Sequence, residues 1–201
     1  MNPSVGMALA AAALFGASTP VAKLLVGDVS PLLLGGLLYG GSGLGLALIR
    51  LVRDRGWQAS GLLAHEWPWL GGAIVFGGVL GPVALMWGLT QTSGSVASLL
   101  LNFESVLTAV LAWVAFKENA DRRVVLGMLA IVAGGVVLSW PSGQMAAPDW
   151  RGPLAIALAC LCWAIDNNLT RQVSASDALF IASTKGLIAG GVNTALAVAL
   201  G

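Results

Sequence analysis

The sequence predicts an all-α membrane protein, a polytopic bundle of seven transmembrane helices built as one five-helix repeat followed by the first two helices of an inverted second repeat. Three observations carry that expectation. The 201 residues are 57% hydrophobic and only 9% charged, where a soluble domain averages about 25% charged. Apolar runs of bilayer-spanning length recur along the whole chain, separated by short polar links. The sixth and seventh runs echo the first and second in their polar pattern. A water-soluble core is excluded, and a net charge of +1 offers no basic field for nucleic acid.

The runs lie at about 4 to 26, 31 to 51, 68 to 89, 93 to 116, 123 to 140, 152 to 172 and 178 to 200, each near the length that a helix needs to cross hydrocarbon. The first begins MNPSVGMALAAAALFGAS, which lacks the positive n-region of a cleaved leader, and continues through Pro20 to Val26; it therefore reads as a helix that stays. The links GDVSP, RDRGWQASGLLAHEW, TQT, KENADR, PSGQMAAPDW and the stretch around RQVSASD leave no room for a soluble domain.

Charge orients the bundle. Arg50, Arg53 and Arg55 lie in the second link, Lys117, Arg122 and Arg123 in the fourth, and Arg171 in the sixth, whereas only Lys23 and Arg151 border odd-numbered links. Cytoplasmic links retain positive charge, so the even links and the amino terminus are expected inside a cytoplasmic membrane. Trp67, Trp69, Trp87, Trp113, Trp140 and Trp150 fall at span ends, as an interfacial belt requires. Trp163 is the mid-span exception. Cys160 and Cys162 would stand about 200° apart on a helix, which makes them packing residues rather than a disulfide or metal site. The small-residue pairs Gly36/Gly40, Gly41/Gly45, Gly77/Gly81 and Gly186/Gly190 suit close helix approach within one bundle, with a dimer face as the alternative.

The repeat shows when residues 14–40, LFGASTPVAKLLVGDVSPLLLGGLLYG, are set beside 161–186, LCWAIDNNLTRQVSASDALFIASTKG. Each has a polar triplet two-thirds along a helix, a basic residue soon after, a Ser/Asp turn and a second apolar run. An odd number of helices per unit makes successive units inverted, as in secondary transporters. Residues 1–146 form the complete unit and 147–201 the start of the next, and the chain is expected to be a truncated record of a longer protein.

Glu104 is the most informative residue. It sits twelfth in the 24-residue run Ser93 to Phe116, with no other charge, and so near the bilayer midplane, where an acidic group costs on the order of 3 kcal/mol and is usually functional. Ser95, Ser98, Asn102 and Ser105 share one helical stripe. At about 100° per residue, Glu104 lies roughly 160° from Asn102 and nearer Thr108, so this helix presents two polar sides. Ser18-Thr19-Pro20 and Asp166-Asn167-Asn168 interrupt corresponding helices, with breaks expected at Thr19 and Pro20 and a further kink at Pro82. Asp166 and Lys185 fall at matching depth, as a structural ion pair or as ligands for a charged solute. Lys23 is near enough to the outer face to snorkel. The HExxH, GxSxG and P-loop signatures are missing, and the one histidine, His65, sits in a link. No enzyme activity, cofactor or metal is expected.

The segment NFESVLTAVLAWVAFKE resembles the EamA-like families of the drug/metabolite transporter superfamily. Glu104 takes the acidic position of that pattern, Trp113 its tryptophan and Glu118 its terminal glutamate, while Ser105 replaces the usual proline and puts the family's bend in question. The resemblance implies a carrier that moves small organic metabolites or drugs across the cytoplasmic membrane by alternating access, in the export direction. Glu104 would then bind a proton or a cationic group, with Asn102, Asp166, Asn167 and Lys185 lining the cavity. The alternatives are an exchanger without protons, a non-transporting assembly or regulatory partner, and an inactive fragment.

Overall fold

The computed structural model describes residues 3–26, 28–119, 121–138 and 150–200. Helix α1 (Pro3–Leu25) and α2 (Pro31–Arg53) come first. The third span, Ala64–Gln91, is continuous but changes pitch: a 3-10 turn leads into α3 (Trp67–Ala73), a π-helical segment (Ile74–Leu80) and α4 (Gly81–Gln91). The fourth span is two helices, α5 (Gly94–Leu100) and α6 (Phe103–Val114). Then come α7 (Arg122–Leu138), α8 (Arg151–Gln172) and α9 (Ala178–Leu200). Among the described residues six helices are long and apolar enough to cross a membrane. The expected fifth span is represented by the 17 residues of α7; its remainder, with Trp140, lies outside the described residues.

Helix α8 is the centre. It packs on the whole third span and on α6, while α9 packs on α2 and on the π segment. Leu85, Met86 and Leu89 of α4 meet Ile156, Ala159 and Cys160 of α8 in one buried cluster, and Leu70, Ile74, Val173, Phe180, Ile181 and Ala189 form a second. Helix α1 lies outside on α4 and α5, and α7 on α5 and α6. Large apolar side chains such as Leu37, Leu44, Leu48, Leu154 and Leu158 point outward, where lipid replaces water as their solvent.

Sequence spacing and observed packing differ in three places. Neither polar triplet interrupts its helix: α1 runs through Thr19 and Pro20, and α8 through Asp166, Asn167 and Asn168. Proline removes a single backbone donor, and in α1 Ser18 Oγ bonds back to Phe15 O at 2.6 Å, so the turn adapts without opening. The fourth span, by contrast, does break, at Leu101-Asn102 and without a proline. Asn102 Nδ2 donates to Ser98 O and Leu99 O, both at 3.1 Å, and Ser105 Oγ donates to Asn102 O at 2.9 Å. These side chains compete with the backbone for its own carbonyls. Lys23, in the last turn of α1, donates from its Nζ to Leu89 O in the last turn of α4.

The α2–α9 contact is a glycine seam. Gly36 lies against Thr194, Gly40 against Gly190 and Gly43 against Gly186, so closely that a methyl on Gly186 would stand 2.6 Å from Gly43 Cα. A methyl on Gly36, Gly43, Gly186 or Gly190 would clash, whereas one on Gly40 would stand 3.7 Å from Gly190 Cα. Gly41 and Gly45 face open space and take no part, which narrows the expected motif to the 36/40/43 face.

Links two, four and six share one end of the bundle. Arg50 Nε donates to Asp177 Oδ2 at 2.9 Å, Arg53 pairs with both Asp54 and Asp177, and Glu118 meets Arg171. Arg50 is only 5% exposed. Its charge is covered by Asp177, by the Gln58 carbonyl at 2.9 Å and by the ring of Phe180 at 5.1 Å. The guanidiniums of Arg53 and Arg50 hold the Asp177 carboxyl well below the usual carboxylate range, and Arg53 lowers Asp54 likewise. At the other end, Gly152 of α8 packs against Gln91 at the end of α4 and Thr92 just beyond it, near Lys23.

The seam gives a direct test. Gly190→Leu should destabilise the bundle by about 1–3 kcal/mol through overpacking, whereas Gly41→Leu should change it by less than about 0.5 kcal/mol. Unfolding equilibria of the two variants in mixed micelles measure this, and equal costs would show that the seam is not close-packed.

Candidate functional site

The site is built on the pitch change of the third span. Pro82 has no N–H to offer Gly78 O, its α-helical partner, or Gly77 O, its partner in the π register that Gly81 keeps by donating to Phe76 O. Two carbonyls are thereby freed inside hydrocarbon, where each unsatisfied group costs several kcal/mol. Three other helices serve them. Tyr39 OH of α2 and Trp163 Nε1 of α8 donate to Gly77 O at 2.8 and 2.9 Å, and Asn193 Nδ2 of α9 donates to Gly78 O at 2.9 Å. The mid-span Trp163 is thus a hydrogen-bond donor rather than an interfacial anchor.

Gly77 and Gly78 also create room. A side chain on Gly77 would meet Asp166, with its Cβ 2.6 Å from that of Asp166, and one on Gly78 would meet Ala189 at 2.5 Å. The bare turn therefore seats Asp166 of α8 beside α9. There Lys185 Nζ donates to Asp166 Oδ1 at 2.5 Å and to Thr170 Oγ1 at 3.0 Å, while Thr170 Oγ1 donates to the same Asp166 oxygen at 2.8 Å. The depth match read from the sequence is realised as an ion pair. Tyr39, Ser42, Thr170 and Lys185 line a cavity of about 370 Å³ beside it, bounded by α2, α8 and α9.

The next two residues of α8 turn the other way. Asn167 Nδ2 donates to Glu104 Oε1 at 2.9 Å and to Thr108 Oγ1 at 3.3 Å, and Asn168 Nδ2 donates to Thr108 O at 3.1 Å and to Ala164 O at 2.8 Å. Glu104 therefore faces α8 together with Thr108. Asn102 lies on the opposite side of its helix, in a small cavity of about 200 Å³ with Ala130, Ile131 and Gly134 of α7. One helical turn of α8 thus joins Asp166, Asn167, Glu104 and Lys185 into one polar layer and leaves Asn102 outside it. Thr19 is buried at α1, and Pro20 is exposed beside it; both are remote in chemistry from this layer. Pro82 belongs to it through the carbonyls that it frees.

Sequence reading missed Tyr39, Thr170 and Asn193. Tyr39 and Asn193 sit in apolar runs and Thr170 follows the polar triplet of α8, and the signal was available: an amide, hydroxyl or phenol at span depth needs a partner in a helix that spacing alone does not name. A third feature is an apolar groove of about 810 Å³ between the third span and α8, with Phe76, Leu80, Trp87, Leu158 and Cys162 in its wall and Ser30 and Arg151 at one end.

A multi-pass helical bundle that pairs charges and amides in one layer inside its hydrophobic region is an integral membrane protein. The family model described as the EamA-like transporter family matches residues 2–140, and the chain belongs to that family. Over 201 aligned residues it is 24% identical to an uncharacterized transporter of Methanothermobacter thermautotrophicus, covering 93% of this chain and 59% of the relative. It is also 42% identical over 93 residues to a Pseudomonas aeruginosa protein named as the probable 4-amino-4-deoxy-L-arabinose-phosphoundecaprenol flippase subunit ArnE, covering 44% of this chain and 73% of that protein. The namesake from Pseudomonas paraeruginosa is 37% identical over 89 residues, with the same coverage. The chain thus spans about three-fifths of the archaeal relative's length. No solved structure matches it.

The ion pair makes a measurable prediction. Lys185→Met should cost about 3–5 kcal/mol by stranding the Asp166 charge, and Lys185→Met/Asp166→Asn should recover most of that loss. A double variant as unstable as the single one, in the same micellar unfolding assay, would mean that the two charges do not compensate each other.

Proposed function

We propose that the chain forms part of a secondary carrier that moves small organic metabolites or drugs across the cytoplasmic membrane by alternating access, exporting them with proton coupling through Glu104. In this reading residues 1–146 are one five-helix repeat, residues 147–201 open a second of inverted topology, and the amino terminus is cytoplasmic. The observation that carries it is a contrast between two carboxyls in one layer. Asp166 has a cation, Lys185, at 2.5 Å. Glu104 is half-buried and, among the described residues, has an amide partner and no cation. A carboxylate in hydrocarbon without a countercharge is costly, so this position favours uptake of a proton or of a cationic group on the solute. Asn167 is exposed at that level, and two polar groups on one open face fit a solute pathway better than contact with lipid tails.

Asn167 positions the Glu104 carboxyl, and Asp166 with Lys185 forms the neutral wall behind it. Asn102, on the α7 side, contributes to the break in the fourth span that starts α6 one residue before Glu104. The pitch change before Pro82 supplies a helix that can shift register between two satisfied arrangements. Gathering links two, four and six at one end by ion pairs fits a closed inner gate in which Arg50 and Asp177 are the central contact.

A second reading concerns the solute. The likeness to a subunit of a flippase for a phosphoundecaprenol-linked sugar, together with the apolar groove ending at Arg151, favours an amphiphile with a long hydrocarbon tail. Competition between a polyprenyl phosphate and water-soluble solutes for transport separates the two.

Reconstitution in pyranine-loaded vesicles tests the carrier. A panel of small carboxylates, amines and neutral metabolites should include a solute that moves protons with it, and Glu104→Gln should reduce that coupled flux by about tenfold or more, a barrier change of roughly 1.4 kcal/mol. Flux that keeps its rate and pH dependence in Glu104→Gln would remove Glu104 from the coupling step.

A further inference from the structure

The cavity on the other face of α8 holds chemistry that Glu104 does not use. The Lys185 ammonium has three N–H donors. Two are engaged, with Asp166 and Thr170, and the third has no protein acceptor among the described residues. The ammonium lines a space of about 370 Å³, within the range of small-molecule sites. Ser42 stands on the α2 side of that space, and its hydroxyl makes no hydrogen bond among the described residues. Leu46, Ile181 and Ala182 add an aliphatic wall, and the cavity continues to Ser174 and Ala178 at the end where links two and six meet.

Charge balance restricts what can enter. The Lys185–Asp166 pair is neutral as it stands, and an anion added alone would leave a net negative charge in a low-dielectric layer. An anionic ligand must therefore bring a positive charge, as its own ammonium or as a proton taken up by Asp166. A single lysine, with no arginine among the cavity's lining residues, suits a monoanionic carboxylate better than a phosphate dianion. We propose that this cavity binds a small aliphatic carboxylate, with Lys185 and Ser42 on the carboxylate and Asp166 compensated by the solute's ammonium or by a proton. The other titratable groups near Asp166 are Tyr39 of α2 and Glu104 of α6; the π segment contributes only backbone and apolar side chains. Tyr39 is committed to Gly77 O, and Glu104 to Asn167. The inference rests on the carrier reading for its meaning as a transport site, whereas its test reads binding alone.

Isothermal titration of the full chain in detergent uses three isosteric probes: leucine, 4-methylpentanoate, which lacks the ammonium, and 3-methylbutylamine, which lacks the carboxylate. Leucine should bind without net proton uptake, or 4-methylpentanoate should bind with uptake of about one proton, read from the dependence of the binding heat on the buffer's ionisation heat; the amine should not bind. Ser42→Phe, which fills the cavity and leaves the ion pair in place, should weaken binding at least about tenfold, and so should Lys185→Met/Asp166→Asn. The proposal is overturned if neither carboxylate binds, if the amine binds as well as leucine, or if affinity is unchanged in Ser42→Phe. Binding without transport in the vesicle assay would instead overturn the carrier and leave this site standing. Transport without binding here would do the reverse.

Discussion

Hydrocarbon offers no water to a stranded carbonyl, and that constraint organises this protein around one turn of its third span. Pro82 takes a donor away, the π segment shifts the register, and Gly77 and Gly78 are left with oxygens to satisfy. Tyr39, Trp163 and Asn193 supply the hydrogen bonds from three different helices. Each donor also fixes the rotation of the helix that carries it. Helix α9 is turned so that its glycines meet those of α2, and α8 so that Asp166 enters the space beside Gly77.

From that rotation the electrostatics follow. Asp166 reaches Lys185, while Asn167 and Asn168, one and two residues on, point toward α6 and meet Glu104 and Thr108. A single turn of an unbroken helix thus serves two faces with different charge balance, one neutralised by an ammonium and one held, among the described residues, by amides. The two carboxyls thus differ in countercharge rather than in the layer they occupy. The EamA-like family model covers the third span and Glu104 within residues 2–140, and the ion pairs among links two, four and six tie those links together at one end.

Much of this was legible in the sequence because charge in a membrane span is rare and position counts. The angle that sent Glu104 toward Thr108 and away from Asn102 came from helical spacing alone, and both residues lie where that angle puts them. The equal depth of Asp166 and Lys185 likewise became a contact. The pitch change was not legible, since a π turn alters the very periodicity used to read the run, and Pro82 signals a kink without saying which carbonyls it frees. Matching polar triplets suggested interrupted helices at Thr19-Pro20 and Asp166-Asn167-Asn168, but a polar side chain that finds a partner on a neighbouring helix needs no break, and α8 stays intact. The break at Leu101-Asn102 escaped for the opposite reason: it is made by side-chain amide and hydroxyl bonds to local carbonyls, not by proline.

A double-mutant cycle between Pro82→Ala and Asn193→Leu, read as unfolding free energy in mixed micelles, addresses the central turn most directly. Asn193→Leu should cost about 1–3 kcal/mol in the parent chain, where it strands a buried carbonyl. In the Pro82→Ala background, where a backbone N–H is restored to the turn, the same change should cost much less. Equal costs in the two backgrounds would contradict the claim that proline's missing donor is what binds α9 to the third span.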